Sequence, residues 1–129
     1  MKAAFDNQSQ ESLVCVVDGD PAVRDSLQYL CNSSGYPAMG FSTRKAFLRT
    51  LDDVRISRTK CVICEAQLPD GSGVELFEEL KLRGFIVPFV LLVSRGSKLA
   101  AKNASRAGIE YVWQKPIVDR GLLIAFLDK

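Results

Sequence analysis

Five residues of this chain stand where their chemistry could be used. Glu65 follows the apolar run Cys61-Val62-Ile63-Cys64. Asp18 and Asp20 follow the run Leu13-Val14-Cys15-Val16-Val17. Both runs are short and apolar, as expected of strands buried on both faces. Ser94 closes a third such run over 88–93, and Lys115 follows a fourth over 109–113. In an open α/β sheet, ligands bind beyond the carboxyl ends of the strands. Three carboxylates, a hydroxyl and an amine are therefore candidates for one polar rim. The plainer alternative is that a strand-end acid such as Glu65 is only solvated, as most surface carboxylates are.

Other chemistries fit less well. Cys61 and Cys64 have the spacing of a redox or zinc half-site. On a strand, however, residues three apart point to opposite faces. The chain has no histidine and no second CxxC pair, so a zinc site and histidine-based triads have no ligands or base to draw on. The four cysteines, Cys15, Cys31, Cys61 and Cys64, read as small buried hydrophobes. The turn Asp18-Gly19-Asp20-Pro21 lacks the glycine-rich cradle of nucleotide-binding enzymes.

The elements that must position the rim follow from the rest of the chain. Its 129 residues suffice for one domain with its own core. A net charge of +2 is too small to argue for nucleic-acid binding, and no apolar run approaches a membrane span. Residues 1–12 are polar, lack the core of a signal peptide and read as a flexible segment before a domain over 13–129, which is expected in the cytoplasm.

Asp20-Pro21 is a helix start, with Ala22, Val23, Leu27, Leu30 and Cys31 on one face and Gly35 as the stop. A weaker strand over 36–41, interrupted by Pro37 and Gly40, reads as an edge. Ser42 or Thr43 caps a helix carrying Ala46, Phe47, Leu48 and Leu51, and 52–60 reads as a polar connection. After the turn Leu68-Pro69-Asp70-Gly71, Ser72 caps a helix over 73–83 with Val74, Phe77 and Leu80 inward. A basic helix over 98–107 presents Leu99, Ala100, Ala104 and Ala107 to the core, and a last helix over 119–127 presents Leu122, Leu123 and Phe126. Strict β–α alternation predicts a parallel sheet with helices on both faces. With five strands, the flavodoxin-like order 2-1-3-4-5 brings Asp18, Asp20, Glu65, Ser94 and Lys115 to one rim.

These residues resemble the receiver domain of bacterial two-component response regulators. The resemblance rests on Val16-Val17-Asp18-Gly19-Asp20-Pro21, Glu65 with Leu68-Pro69 and Gly71-Ser72-Gly73, Ser94 and Lys115-Pro116. It covers 13–127. Arg24, Gly35, Phe41, Phe47 and Leu48 look like the subgroup that often carries a C-terminal helix-turn-helix domain. The resemblance implies an aspartate ending the third strand that takes a phosphoryl group from a histidine kinase. It also implies two acids after the first strand that hold Mg²⁺, and a Ser or Thr and a Lys that contact the phosphoryl group. Asp18, Ser94 and Lys115 match. Glu65 stands where the acceptor aspartate belongs, Gly19 stands at the second acidic position, and Val112 stands at the position of an aromatic that rotates on activation.

Glutamate carries its carboxylate one methylene further, about 1.5 Å. Gly19 removes a carboxylate from a cation that demands near-octahedral oxygen ligands. In-line phosphoryl transfer depends on both. The expected function is a phosphorylation-independent, non-enzymatic receiver with no cofactor, its Mg²⁺ binding weak or absent, Asp18 and Asp20 being the ligands if any. It would serve as an interaction or dimerisation module through its fourth helix, fifth strand and fifth helix, where Lys98, Lys102, Arg106, Tyr111 and Asp119 lie. A DNA-binding effector domain would lie outside this chain. Glu65 either holds the domain in an active-like state by drawing in Lys115, or only abolishes phosphorylation while Lys115 pairs with Asp18. The alternative is a conventional Mg²⁺-dependent switch with a modified pocket.

Overall fold

The apolar runs form the sheet. The computed structural model describes residues 13–117 and 120–128. Five strands, β1 (Leu13–Val17), β2 (Ala38–Phe41), β3 (Thr59–Glu65), β4 (Phe89–Val93) and β5 (Tyr111–Gln114), lie parallel in the order β2-β1-β3-β4-β5. This is the flavodoxin-like order expected from the sequence. Between them run α1 (Pro21–Ser33), α2 (Arg44–Leu48), α3 (Gly73–Leu82) and α4 (Lys98–Ala107), and α5 (Arg120–Leu127) follows β5. The predicted flexible segment 1–12 and Asp119 lie outside the described residues.

Alternation along the central strands divides the core in two. Cys15, Val17, Val62, Cys64, Leu91 and Val93 face Phe47, Leu76, Leu80 and Ala104 of α2, α3 and α4. Val14, Val16, Cys61, Ile63, Val90 and Leu92 face Leu27 and Cys31 of α1 and Leu123, Phe126 and Leu127 of α5. Cys61 and Cys64 therefore belong to different layers. Burial pushes the thiols of Cys15 and Cys31 up to about 11, that of Cys61 up to about 12, and that of Cys64 further still. They are protonated and poorly nucleophilic at neutral pH.

Several expectations need correction. The inward face of α3 is wider than expected: Leu80 is buried and Val74 and Phe77 pack against the core, Phe77 edge-to-face on Phe89 at 5.1 Å, but Gly73 and Leu76 are buried as well. Gly73 lies directly on β3 and β4: a Cβ there would sit 2.5 Å from the Glu65 carbonyl oxygen and 2.6 Å from Leu91 Cδ1. Ala22 is exposed in the first turn of α1. Leu99 is 69% exposed and Leu122 46% exposed, so neither is core. The connection 52–60 is not wholly polar. It holds a 3₁₀ turn, Ile56–Arg58, whose Ile56 is fully buried, and β3 begins at Thr59. β5 starts at Tyr111 rather than 109, although Ile109 is buried.

The short α2 shows how the rim is anchored. Five residues cannot hold a helix by themselves. Thr43 caps it by accepting from the Ala46 N–H, and Phe47 packs edge-to-face between Phe41 at 5.1 Å and Phe85 at 6.1 Å. A small antiparallel hairpin, Gln67–Leu68 with Gly71–Ser72, leads from β3 into α3, and Ser72 and Glu75 complete a capping box there.

Candidate functional site

The rim is built from the ends of β1, β3 and β5. The Asp18 N–H donates to the Phe41 carbonyl at 2.9 Å, which holds the residue in line with β1 as the chain leaves the sheet. Its side chain is turned inward and is 1% exposed. Oδ1 accepts the Asp20 N–H at 2.9 Å, and the Asp18 carbonyl accepts from Arg24 Nη1 at 2.8 Å. Glu65 ends β3 beside Leu92 of β4 and is 8% exposed. Lys115 is fixed at its backbone by donating to the Val93 carbonyl at 2.9 Å, and the following Lys115–Pro116 peptide bond is cis.

The Lys115 side chain joins the two acids. Nζ donates to Glu65 Oε2 and lies 2.9 Å from Asp18 Oδ2. The second contact has the distance of an ion pair without the direction of a hydrogen bond. The Lys115 side chain is 21% exposed, so the ammonium sits at the edge of the pocket and the carboxylates lie beneath it. One cation shared by two anions leaves the cluster with one net negative charge. At this depth the attraction is far stronger than for a surface pair.

The other candidates divide. Asp20 is the N-cap of α1 and accepts the Ala22 N–H at 2.9 Å, so its carboxylate serves the helix. Ser94 is exposed, and its hydroxyl makes no hydrogen bond among the described residues; only its carbonyl is engaged, by the Ser97 N–H at 3.1 Å. The rim joins the side chains of Asp18, Glu65 and Lys115, while Asp20 meets Asp18 through its backbone N–H and the Ser94 hydroxyl takes no part in the cluster's hydrogen bonds. Gly19 lies against the Pro69 ring. Val112 points into the α3–α4 layer, whereas Tyr111 and Trp113 pack edge-to-face on Phe126 at 4.9 and 5.3 Å. Lys98, Lys102 and Arg106 are exposed along α4.

A family model for the response regulator receiver domain matches residues 14–127. The chain belongs to that family. This receiver is 36% identical over 115 residues to the transcriptional regulatory protein TdiR of Thauera aromatica, a match covering 88% of this chain and 49% of TdiR. It is 34% identical over 116 residues to the transcriptional regulatory protein FixJ of Azorhizobium caulinodans, covering 89% of this chain and 54% of FixJ. The chain thus spans about half the length of the curated relatives it matches. Among solved structures, FixJ-N superposes with a TM-score of 0.77 at 28% identity, over 88% of this chain and 89% of FixJ-N. A receiver domain from Clostridium thermocellum reaches 0.80 at 20% identity, over 91% of each chain, and speaks to the fold alone.

Receivers of this family imply a Mg²⁺ ion at this rim, and the donor set here does not suit one. Mg²⁺ needs several well-placed oxygens at about 2.0–2.1 Å. Asp18 Oδ1 is taken by a backbone N–H, Asp18 Oδ2 and Glu65 face the Lys115 ammonium, Asp20 is turned to its helix, and Gly19 offers no side-chain oxygen. Among the described residues, no three acidic, cysteine or histidine side chains converge on one point.

Asp70 reads in the sequence only as part of a turn, and the structure gives it a longer reach. Its two carboxylate oxygens accept the Arg44 N–H at 2.8 Å and the Lys45 N–H at 2.9 Å, tying the β3–α3 loop to the first turn of α2. Its partner is 26 residues away, so no local pattern announces it. Burial raises the Asp70 carboxyl, but the bonds from Lys45 and Arg44 outweigh that and hold it below its ordinary value of 3.8. A depressed folded value means stability that is fully present above the ordinary value and lost as the pH falls through the lowered one. Asp70→Ala is expected to lower stability by about 1 kcal/mol, the usual loss for a helix N-terminal acceptor. In urea unfolding across a pH series, the gap between the wild type and this variant should be constant at neutral pH and close below the ordinary carboxylate value.

Proposed function

We propose that this receiver signals without phosphorylation and acts as a protein-interaction module. The observation that carries the reading is the Lys115 ammonium held on Glu65 and beside Asp18. In receivers as the sequence resemblance implies them, that lysine meets a phosphoryl group. Here the longer glutamate meets it with a permanent carboxylate. A differential stabilisation of only about 1.4 kcal/mol shifts a two-state equilibrium tenfold. A buried pair of this kind is enough to hold the domain in one state. Phosphorylation is disfavoured on the same ground, because Glu65 is already paired and the cation that would neutralise the incoming charge lacks its ligands.

The surface we assign to partners is α4, β5 and α5. What supports it is the exposed stripe Lys98, Lys102 and Arg106 on α4, a helix with no acidic residue. The half-length match to relatives named as transcriptional regulatory proteins supports an output through a DNA-binding effector domain beyond this chain.

The test is incubation with Mg²⁺ and a small acyl-phosphate donor, followed by intact mass and by Trp113 fluorescence. No mass change and a flat fluorescence titration are expected. A gain of one phosphoryl group that disappears in Glu65→Ala would restore the conventional switch and sink this reading.

A further inference from the structure

α4 brings little bulk to its contact with α3. The residues it turns to the core are Ala100 and Ala104, and Ala107 at its end is half-buried. The flank of α3 beside it carries Val74, Phe77 and Lys81, which share one side of that helix at intervals of three and four residues. Two cavities remain along the seam. One of about 270 Å³ lies at the rim end, between Ala66 and Val74 on one side and Leu99, Ala100 and Asn103 on the other. The second, of about 240 Å³, lies at the C-terminal ends of both helices, among Phe77, Leu80, Lys81, Phe85, Ile86 and Gly108. Each is edged by an apolar side chain that stands in water, Leu99 at the first and Ile86, 79% exposed, at the second.

The seam is also positively charged. Leu99 and Asn103 are i,i+3 neighbours of Lys102 and Arg106, and Lys98 continues the row. Lys81 adds a cation on the α3 side, over the Phe77 ring at 5.5 Å. α4 has no acidic residue. Of the acids on α3, Glu75 is held in the capping box and Glu79 pairs with Arg83 at 2.9 Å, which leaves exposed Glu78 to oppose these cations. A surface of this kind draws in a negatively charged partner.

We propose that the α3–α4 seam is a docking groove for an acidic amphipathic helix, whose two apolar anchors enter the cavities while its carboxylates face Lys98, Lys102 and Arg106. Val74 at one cavity and Lys81 at the other are seven residues apart, about 10 Å along the helix. The anchors therefore stand seven residues apart on the visiting helix. A second copy of this chain is the lesser fit, because its α4 brings like charge and its Glu75 and Glu79 are already engaged. This docking role rests on the reading of the receiver as an interaction module, and it extends the partner surface across α4 to its α3 flank.

The probe is a synthetic peptide of about 15 residues, near the least length that holds a helix in water, with glutamates on one face and two leucines seven apart on the other. Anisotropy of a dye on the peptide reads binding, and amide shifts of the receiver locate it. Saturation below about 1 mM is expected, with shifts at Val74, Leu99 and Asn103 and at Ile86 and Gly108. Leu99→Ala, Ile86→Glu and Lys102→Glu should each weaken binding about tenfold; all three positions are exposed, so the fold is left intact. A peptide of the same charge with alanine at both leucine positions should bind at least about tenfold more weakly. Equal binding would reduce the contact to bare charge and overturn the groove. Failure to saturate, or shifts confined to β5 and α5, would overturn it as well. Sedimentation tests the other occupant: a dimer of the receiver that Asn103→Trp breaks by filling the rim cavity would give the seam to a second copy and sink the acidic helix. No phosphodonor or Mg²⁺ enters these measurements, so a chain that proved phosphorylatable would remove the reading of function and leave the groove to be judged separately.

Discussion

Lys115→Ala is expected to destabilise the folded domain by about 3 kcal/mol, the lower end of the range for breaking a buried ion pair by removing one partner. The size follows from what is left behind. Asp18 and Glu65 are almost wholly buried, whereas the Lys115 side chain is 21% exposed. Losing the ammonium therefore strands two neighbouring carboxylates with little water to solvate them. Asp18 keeps one bond, from the Asp20 N–H, while Glu65 loses the partner of its Oε2 oxygen. Partial exposure of the lysine places the loss at the low end, because water entering the vacated edge relieves some of the penalty. Urea unfolding measures it. Lys115→Met with Glu65→Gln should recover a substantial part, since one stranded charge is then gone. A loss below about 0.5 kcal/mol for Lys115→Ala would mean that the pair behaves as a surface contact, and the case for a charge-locked pocket would fall with it.

The rim was readable because strand ends are readable. The apolar runs containing Ile63 and Leu91 are short and β-branched or leucine-rich, and they end at a charge or a hydroxyl. Topology then carries Asp18, Glu65 and Lys115 to one place. The direction of a side chain is a different matter. Ser94 is at the rim, but its hydroxyl makes no hydrogen bond among the described residues. Asp20 was expected to be occupied as an N-cap, and it is, because the Asp-Pro signal is local. Asp70 escaped because its partners belong to a helix far away in sequence. Ile56 escaped because a single isoleucine between Arg55 and Ser57 carries no periodicity. Leu99 and Leu122 were misassigned for a related reason. Hydrophobicity says what a residue tolerates, and only packing says which side of the helix meets the sheet.

Gly73 shows that last point most sharply, and Gly73→Ala is expected to lower stability by about 3 kcal/mol, the upper end for overpacking a core. The residue was legible as the start of α3 but not as a contact. Its N–H donates to the Ala66 carbonyl at 2.9 Å, which anchors the first turn of the helix on the strand end beside Glu65. A methyl group there meets the Glu65 carbonyl oxygen at 2.5 Å, Leu91 Cδ1 at 2.6 Å and Cys64 Sγ at 3.2 Å. Leu91 can shift its rotamer, but the backbone oxygen cannot move without shifting Glu65. The helix must lift, and Leu76 and Leu80 lift with it. Alanine is a better helix former than glycine by about 1 kcal/mol, so intrinsic propensity predicts the opposite sign. Thermal and urea unfolding of Gly73→Ala decide between them. A neutral or stabilised variant would show that α3 does not need its close approach to β3. A large loss accompanied by altered Lys115 exchange or Trp113 fluorescence would show that the packing of one glycine holds Glu65 where the ammonium can reach it.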